Sequence, residues 1–271
     1  MSGKQTHPYH LVNPSPWPLV TAFSMLTLVI GAALALHKLS VGPLVLLAGI
    51  VATASCCFFW WRDVIREGRF DHSHTPAVQH GLRIGMALFI TSEVMFFFAF
   101  FWAYFGAALF PHAPLTDTWD IHAGVWPPKD IKPFNPFDMP FINTLILLLS
   151  GTTVTWAHAA LLEGNRRDVI RGLACTVVLG MLFTCGQAYE YSHAAFGLTQ
   201  GKYASTFYLA TGFHGLHVII GTIFLAVNLV RAINGTLDSK QHLGFEFAAW
   251  YWHFVDVVWL FLFVGIYWLT S

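Results

Sequence analysis

The chain has 271 residues, of which 56% are hydrophobic and only 10% charged, against about 25% charged in an ordinary soluble domain. Lys plus Arg and Asp plus Glu balance at 14 each, so there is no basic field to attract nucleic acid. These values exclude a soluble nucleic-acid-binding module and point to a chain whose solvent is a bilayer.

The segment before Pro18 lacks a small-residue cleavage site after an apolar run, so the first apolar run reads as a retained span and not a signal peptide. Apolar runs long enough to cross a membrane follow at Pro18–Leu36, Gly42–Trp61, Gly81–Phe110, Pro140–Leu162, Val169–His193, Tyr203–Val230 and Phe245–Trp268. The pattern predicts an all-α, polytopic membrane protein with seven transmembrane helices in one domain. The link from Pro111 to Met139 differs from the other connections: six prolines and four aspartates make it an ordered or semi-rigid surface loop, with Trp119, Trp126 and Phe134 available to rest on the interface or a neighbour. With the N-terminus inside, ten of the fourteen basic residues lie on the inner side and Lys38, Lys129, Lys132 and Lys202 on the outer. The positive-inside rule therefore places the N-terminus inside and the C-terminus outside. Cys56, Cys57, Cys175 and Cys185 all sit in apolar runs and read as small core hydrophobes.

Several ionisable residues fall inside these spans, where insertion scales charge roughly 2.5–3.5 kcal/mol for an aspartate at the helix centre. Glu93 lies twelve residues beyond Gly81, about 18 Å along a helix and near mid-membrane. Its helical neighbours are Met86, Phe89, Ile90, Phe96, Phe97 and Phe100, so a carboxyl without a charged partner there favours its neutral form. It reads either as a proton relay or as a neutral acid bonded to another helix. His214 and His217 lie three apart, with spacing suited to two metal ligands. The nearby Gly212, Gly215 and Gly221 form a small-residue face, which favours interhelical hydrogen bonding over metal. Span seven carries Glu246, His253 and Asp256 broadly on one face, either a proton path or a polar seam. Glu190, His193 and His158 fall near span ends, where anchoring at the membrane boundary is the expected role.

The run Trp60-Trp61-Arg62-Asp63-Val64-Ile65-Arg66-Glu67, followed by His72, His74 and Arg83, is suited to a phospholipid phosphate, and Arg231 is a candidate to join it. An ordinary positive-inside anchor has the same composition. No Walker loop, dinucleotide fingerprint, H-E-x-x-H, haem attachment motif or nucleophile elbow is present.

The stretches 60–67, His74-Thr75-Pro76-Ala77-Val78-Gln79, Ser92-Glu93-Val94-Met95-Phe96-Phe97 and Thr155-Trp156-Ala157-His158 closely resemble subunit III of cytochrome c oxidase. So do Ala210 to Gly221 and Ala249 to Phe261, and all six occur in family order along nearly the whole chain. The resemblance implies a two-plus-five helix bundle with a V-shaped, lipid-filled cleft. It implies a non-catalytic core subunit in a complex that reduces O2 to water and pumps protons. The implied partners are subunit I as the main contact, subunit II, small accessory subunits, and cytochrome c through the complex. Haems and copper would then lie in partner subunits, with structural phospholipids as the groups bound here and no metal. It further implies that Glu93 matches the family's carbodiimide-reactive glutamate, that Trp61, Arg66, Glu67, His74 and Arg231 match lipid-headgroup positions, and that the His214/His217 pair binds no metal. Phe247 stands where an alanine is usual and His80 where Lys or Arg is common, and the 111–139 loop is longer than in animal mitochondrial relatives.

The expected setting is an energy-transducing membrane, the bacterial plasma membrane ahead of the mitochondrial inner membrane. His7 and His10, on the inner side, are candidates for collecting protons. Rival readings are a stand-alone proton or ion transporter using Glu93, His253 and Asp256, a metal-bearing oxidoreductase using His214 and His217, and the equivalent subunit of a quinol oxidase. Those last relatives usually have five helices here, and the seven spans argue against them.

Overall fold

The computed structural model describes residues 9–10, 14–69, 74–110, 126–129, 131–239 and 242–269. Among them are seven long helices and no sheet: α1 (Trp17–Leu36), α2 (Gly42–Arg69), α3 (Pro76–Leu109), α4 (Met139–Leu162), α5 (Arg166–Ser192), α6 (Gly201–Ile233) and α7 (Leu243–Leu262). A π-helical turn at Phe263–Trp268 continues α7. All seven are long and apolar enough to cross a bilayer, which makes this a multi-pass membrane protein. Helical spans satisfy every interior backbone group without water, and this constraint selects the architecture.

Some helices exceed the apolar runs. α2 continues to Arg69 and α3 begins at Pro76, five residues before the run at Gly81. Hydropathy marks the hydrocarbon thickness, whereas the backbone hydrogen bonds continue through polar turns until a breaker intervenes. Pro76 supplies the α3 start, where its missing N–H costs nothing.

The chain forms two compact units that divide within α3, Met1–Ile84 and Gly85–Ser271. In the first, α1 and α2 make a hairpin whose backbones meet at glycines: Gly31 lies on the Leu46 backbone and Gly49 on the Leu28 backbone. Hydrocarbon offers no hydrophobic drive between helices, so close van der Waals approach at small residues takes its place. At the hairpin's open end, the Trp17 indole N–H donates to Asp63 Oδ2 at 2.8 Å.

In the second unit α4, α5, α6 and α7 close a ring of neighbours, with α7 against both α4 and α6. Trp252, fully buried on α7, links all four helices. Its indole N–H donates to Ser150 Oγ on α4 at 2.9 Å. Its ring edges fill notches at Gly180 on α5 and Gly221 on α6, where a Cβ would lie 2.8 Å from the ring. Seven residues on, Trp259 repeats the α4 link by donating to Thr144 Oγ1 at 2.9 Å. The part of α3 in this unit reaches α6 and α7 through long aromatic side chains, with Phe96 edge-on to Phe213 and Phe97 against Phe254.

Two expectations need correction. Of the glycine face on α6, Gly221 takes a close neighbour, whereas among the described residues an added Cβ would meet none within 4 Å at Gly215 and only the Tyr191 hydroxyl, at 3.9 Å, at Gly212. Cys175 and Cys185 are exposed on α5, not core residues, because an apolar run in a membrane protein faces lipid as readily as other helices. Of the 111–139 link, residues 111–125 (Trp119 among them) and 130 lie outside the described residues. Trp126 and Phe134 rest on the bundle, against Tyr104 and Phe207.

Trp252→Ala should destabilise the second unit by about 3–5 kcal/mol, the usual range for removing a buried tryptophan. Gly221→Leu should also destabilise it, since the displaced ring has Gly180 behind it and no free side. Thermal unfolding in detergent, followed by tryptophan fluorescence, measures both.

Candidate functional site

The polar side chains of the second unit pair across helices. Glu93 on α3 meets His217 on α6, with Oε2 and Nε2 2.9 Å apart. The opposite nitrogen of His217 lies 2.7 Å from the Phe213 carbonyl, which only accepts, so Nδ1 carries a hydrogen. His217 thus bonds its own helix through Nδ1 and α3 through Nε2. Glu93 therefore has a polar partner, and its environment is not the purely aromatic one that its own helix suggests.

His214 Nε2–H donates to the Val255 carbonyl on α7 at 3.1 Å, so the two histidines of the i, i+3 pair serve different helices. Asp256 is buried with Oδ2 against Gly151 on α4, while His253 is exposed and bonds Thr155 Oγ1 on α4 at 3.2 Å. Between Asp256 and His253 the nearest approach is 3.9 Å, too long for a hydrogen bond. Glu246 sits half-buried in the first turn of α7, where the helix dipole favours a carboxylate. Among the described residues, no three His, Cys, Asp or Glu side chains converge as a metal site.

The headgroup candidates of the first unit lie around the polar end of α2. Trp61 and Arg66 are exposed there, and Arg62 covers the Phe59 ring at 5.2 Å. His74 rests on Gly68, where an added Cβ would come 2.5 Å from Nδ1, and its ring meets His10 edge-on at 6.0 Å. Burial, then the neighbouring His10, lowers the His74 pKa below the ordinary imidazole value, and Glu67 opposes the shift. His7 and His72 lie outside the described residues. Arg231, in the second unit, donates to Asn228 Oδ1 at 3.3 Å and lies over Gly244.

Glu190 departs from the expected boundary role. It is only 2% exposed and accepts from the Tyr267 hydroxyl at 2.6 Å, because its face of α5 turns into the bundle. His193 is exposed and bonds locally to Tyr189 and Ser192, consistent with a surface position. His158 meets the His242 ring at 5.5 Å and the Phe245 ring at 5.4 Å. Sequence reasoning missed the two indole links to α4 and the Glu93–His217 pairing. Trp252, Trp259, Ser150 and Thr144 read as ordinary apolar-span residues, and helical spacing relates no residue to a different helix.

The sequence profile described as cytochrome c oxidase subunit III matches residues 7–271. The chain is 59% identical over 265 residues to a probable cytochrome c oxidase subunit 3 of Rickettsia bellii, covering 97% of this chain and 96% of that one. It is 56% identical over 261 residues to cytochrome c oxidase subunit 3 of Prototheca wickerhamii, covering 96% and 97%. The rabbit Oryctolagus cuniculus protein of that name is 53% identical over 267 residues, covering 98% and 99%.

Glu93→Gln should be tolerated, because an amide N–H donates to His217 Nε2 in place of the Glu93 contact. Glu93→Leu should cost about 1–3 kcal/mol by leaving that nitrogen unpaired, so thermal midpoints that fail to separate the two variants would contradict the pairing. For His74 the folded state holds the imidazole neutral where an unfolded one already binds a proton. The unfolded state binds more protons, so its contribution is present above about pH 6.5 and lost as pH falls further. Amide hydrogen exchange just after His74, corrected for intrinsic rates, should accelerate on acidification below about pH 6.5, and His10→Ala should make that acceleration smaller by raising the folded-state pKa.

Proposed function

Because the chain belongs to the cytochrome c oxidase subunit III family, we propose that it is a non-catalytic core subunit of such an oxidase. It assembles with subunits I and II in an energy-transducing membrane, and the O2 chemistry takes place in its partners. The observation that carries this reading is the end-to-end match of the chain to the family. The internal pairing of Glu93 with His217 and of His214 with the α7 backbone supports it, since these groups are occupied in holding helices together.

The role of the chain is then support. The clamped second unit gives subunit I a rigid neighbour, and the polar end of α2 meets the headgroup layer. Trp61 and the exposed guanidinium of Arg66 fit a phospholipid phosphate, with a ring at interface depth and a cation beside it. His10, edge-on to His74, is placed to collect protons on the inner face that the basic residues define. It supports fast proton uptake by the complex.

Purification in mild detergent tests the assignment. The chain should co-purify with haem- and copper-bearing subunits, and the separated chain should be colourless and move no protons in liposomes. A chain that purifies without pigmented partners, or that transports alone, would overturn it. Stripping the chain from the complex should leave the haem spectrum intact and slow proton uptake.

A further inference from the structure

At the end of the second unit that carries the α5 C-terminus, Asn143 of α4, Gln187 and Glu190 of α5, and Tyr267 beyond α7 meet inside the bundle. Asn143 is fully buried, Gln187 is 5% exposed and Glu190 is 2% exposed. Glu190 Oε1 accepts from the Tyr267 hydroxyl at 2.6 Å and from Gln187 Nε2 at 3.1 Å. Among the described residues, both amide atoms of Asn143, Gln187 Oε1 and Glu190 Oε2 are buried with no hydrogen-bond partner. They share one region, because the Asn143 amide lies on the Cα of Gly186, and Gly186, Gln187 and Glu190 fall within one turn of α5.

The chemistry of these atoms restricts what completes them. Asn143 Oδ1 and Gln187 Oε1 only accept, so they cannot satisfy each other, and Asn143 Nδ2 only donates. Among the described residues no ion pair involves Glu190, and a bare carboxylate oxygen buried in an apolar bundle is the most costly arrangement open to it. As a neutral acid, Oε2–H becomes a second donor. The group then presents acceptors and donors together, a combination that water matches, since each molecule donates twice and accepts twice. We propose that Asn143, Gln187 and a neutral Glu190 form an internal hydration site, taking water that accepts from Glu190 Oε2–H and Asn143 Nδ2–H and donates to Gln187 Oε1 and Asn143 Oδ1. This site is separate from the headgroup positions and from the Glu93–His217 pair, and it does not depend on which complex the chain occupies.

Infrared spectroscopy of the intact purified complex tests it. The spectrum should contain a neutral-acid carbonyl band that shifts down in D2O and disappears in Glu190→Gln. Asn143→Leu removes two of the water's contacts and should shift that band to higher frequency as its hydrogen bond weakens. Asn143→Ser keeps a polar group with room for a second water, should leave the band near its original position, and serves if the leucine variant fails to assemble. Absence of a band assigned to Glu190, no D2O shift, or a band unmoved by Asn143→Leu in an assembled complex would overturn the proposal. So would a density map showing the Asn143 amide bonded directly to Glu190 with no water between them.

Discussion

The second unit depends on how one indole is accommodated. Trp252 is a large side chain with one polar atom, placed where no water reaches it, so its N–H needs a partner and its ring needs space. Ser150 supplies the partner and the glycines at 180 and 221 supply the space. Each demand falls on a different helix, so meeting them together fixes the positions of α4, α5 and α6 around α7. Trp259 adds a second bond to α4 two turns along, which fixes the rotation of α7 as well as its position.

That rotation decides what the ionisable residues of α7 can do. With Trp252 and Trp259 turned inward, Asp256 falls on the α4 side against Gly151, and His253 turns outward toward Thr155. Three polar residues that look like one face in the sequence are thereby placed in three environments: half-buried at the helix start, exposed, and enclosed. The histidines of α6 are divided in the same way, one to the α7 backbone and one to Glu93 on α3. In hydrocarbon a paired polar group stabilises a helix contact and an unpaired one is penalised, so such pairing serves as architecture first. A subunit that supports chemistry in a neighbour needs this kind of rigidity more than it needs a reactive centre of its own.

The first unit uses backbone proximity in place of an indole. Gly31 and Gly49 let α1 and α2 touch along their length, and the Trp17–Asp63 bond closes the polar end. This leaves Trp61 and Arg66 on the outside of α2, available to the headgroup layer. The membrane-embedded links and the interfacial positions are thus held by different residues, and a change in one need not disturb the other.

The existence, order and approximate ends of the seven spans were legible in the sequence because bilayer thickness imposes a length on apolar runs. The aromatic strings around Trp60, His214 and Trp252 also carried the family, since side-chain order along a chain survives without reference to its fold. What the sequence left open was every relation between helices. Periodicity along one helix gives the face a residue shares with its own neighbours, but not which helix lies opposite. Glu93 read as a carboxyl among phenylalanines until α6 brought His217 to it, and Glu190 read as a boundary residue until α4 and the end of α7 enclosed it. Length and polarity are properties of the chain and were determined by the sequence alone. Partnership between helices depends on rotation and packing, which only the tertiary structure decided.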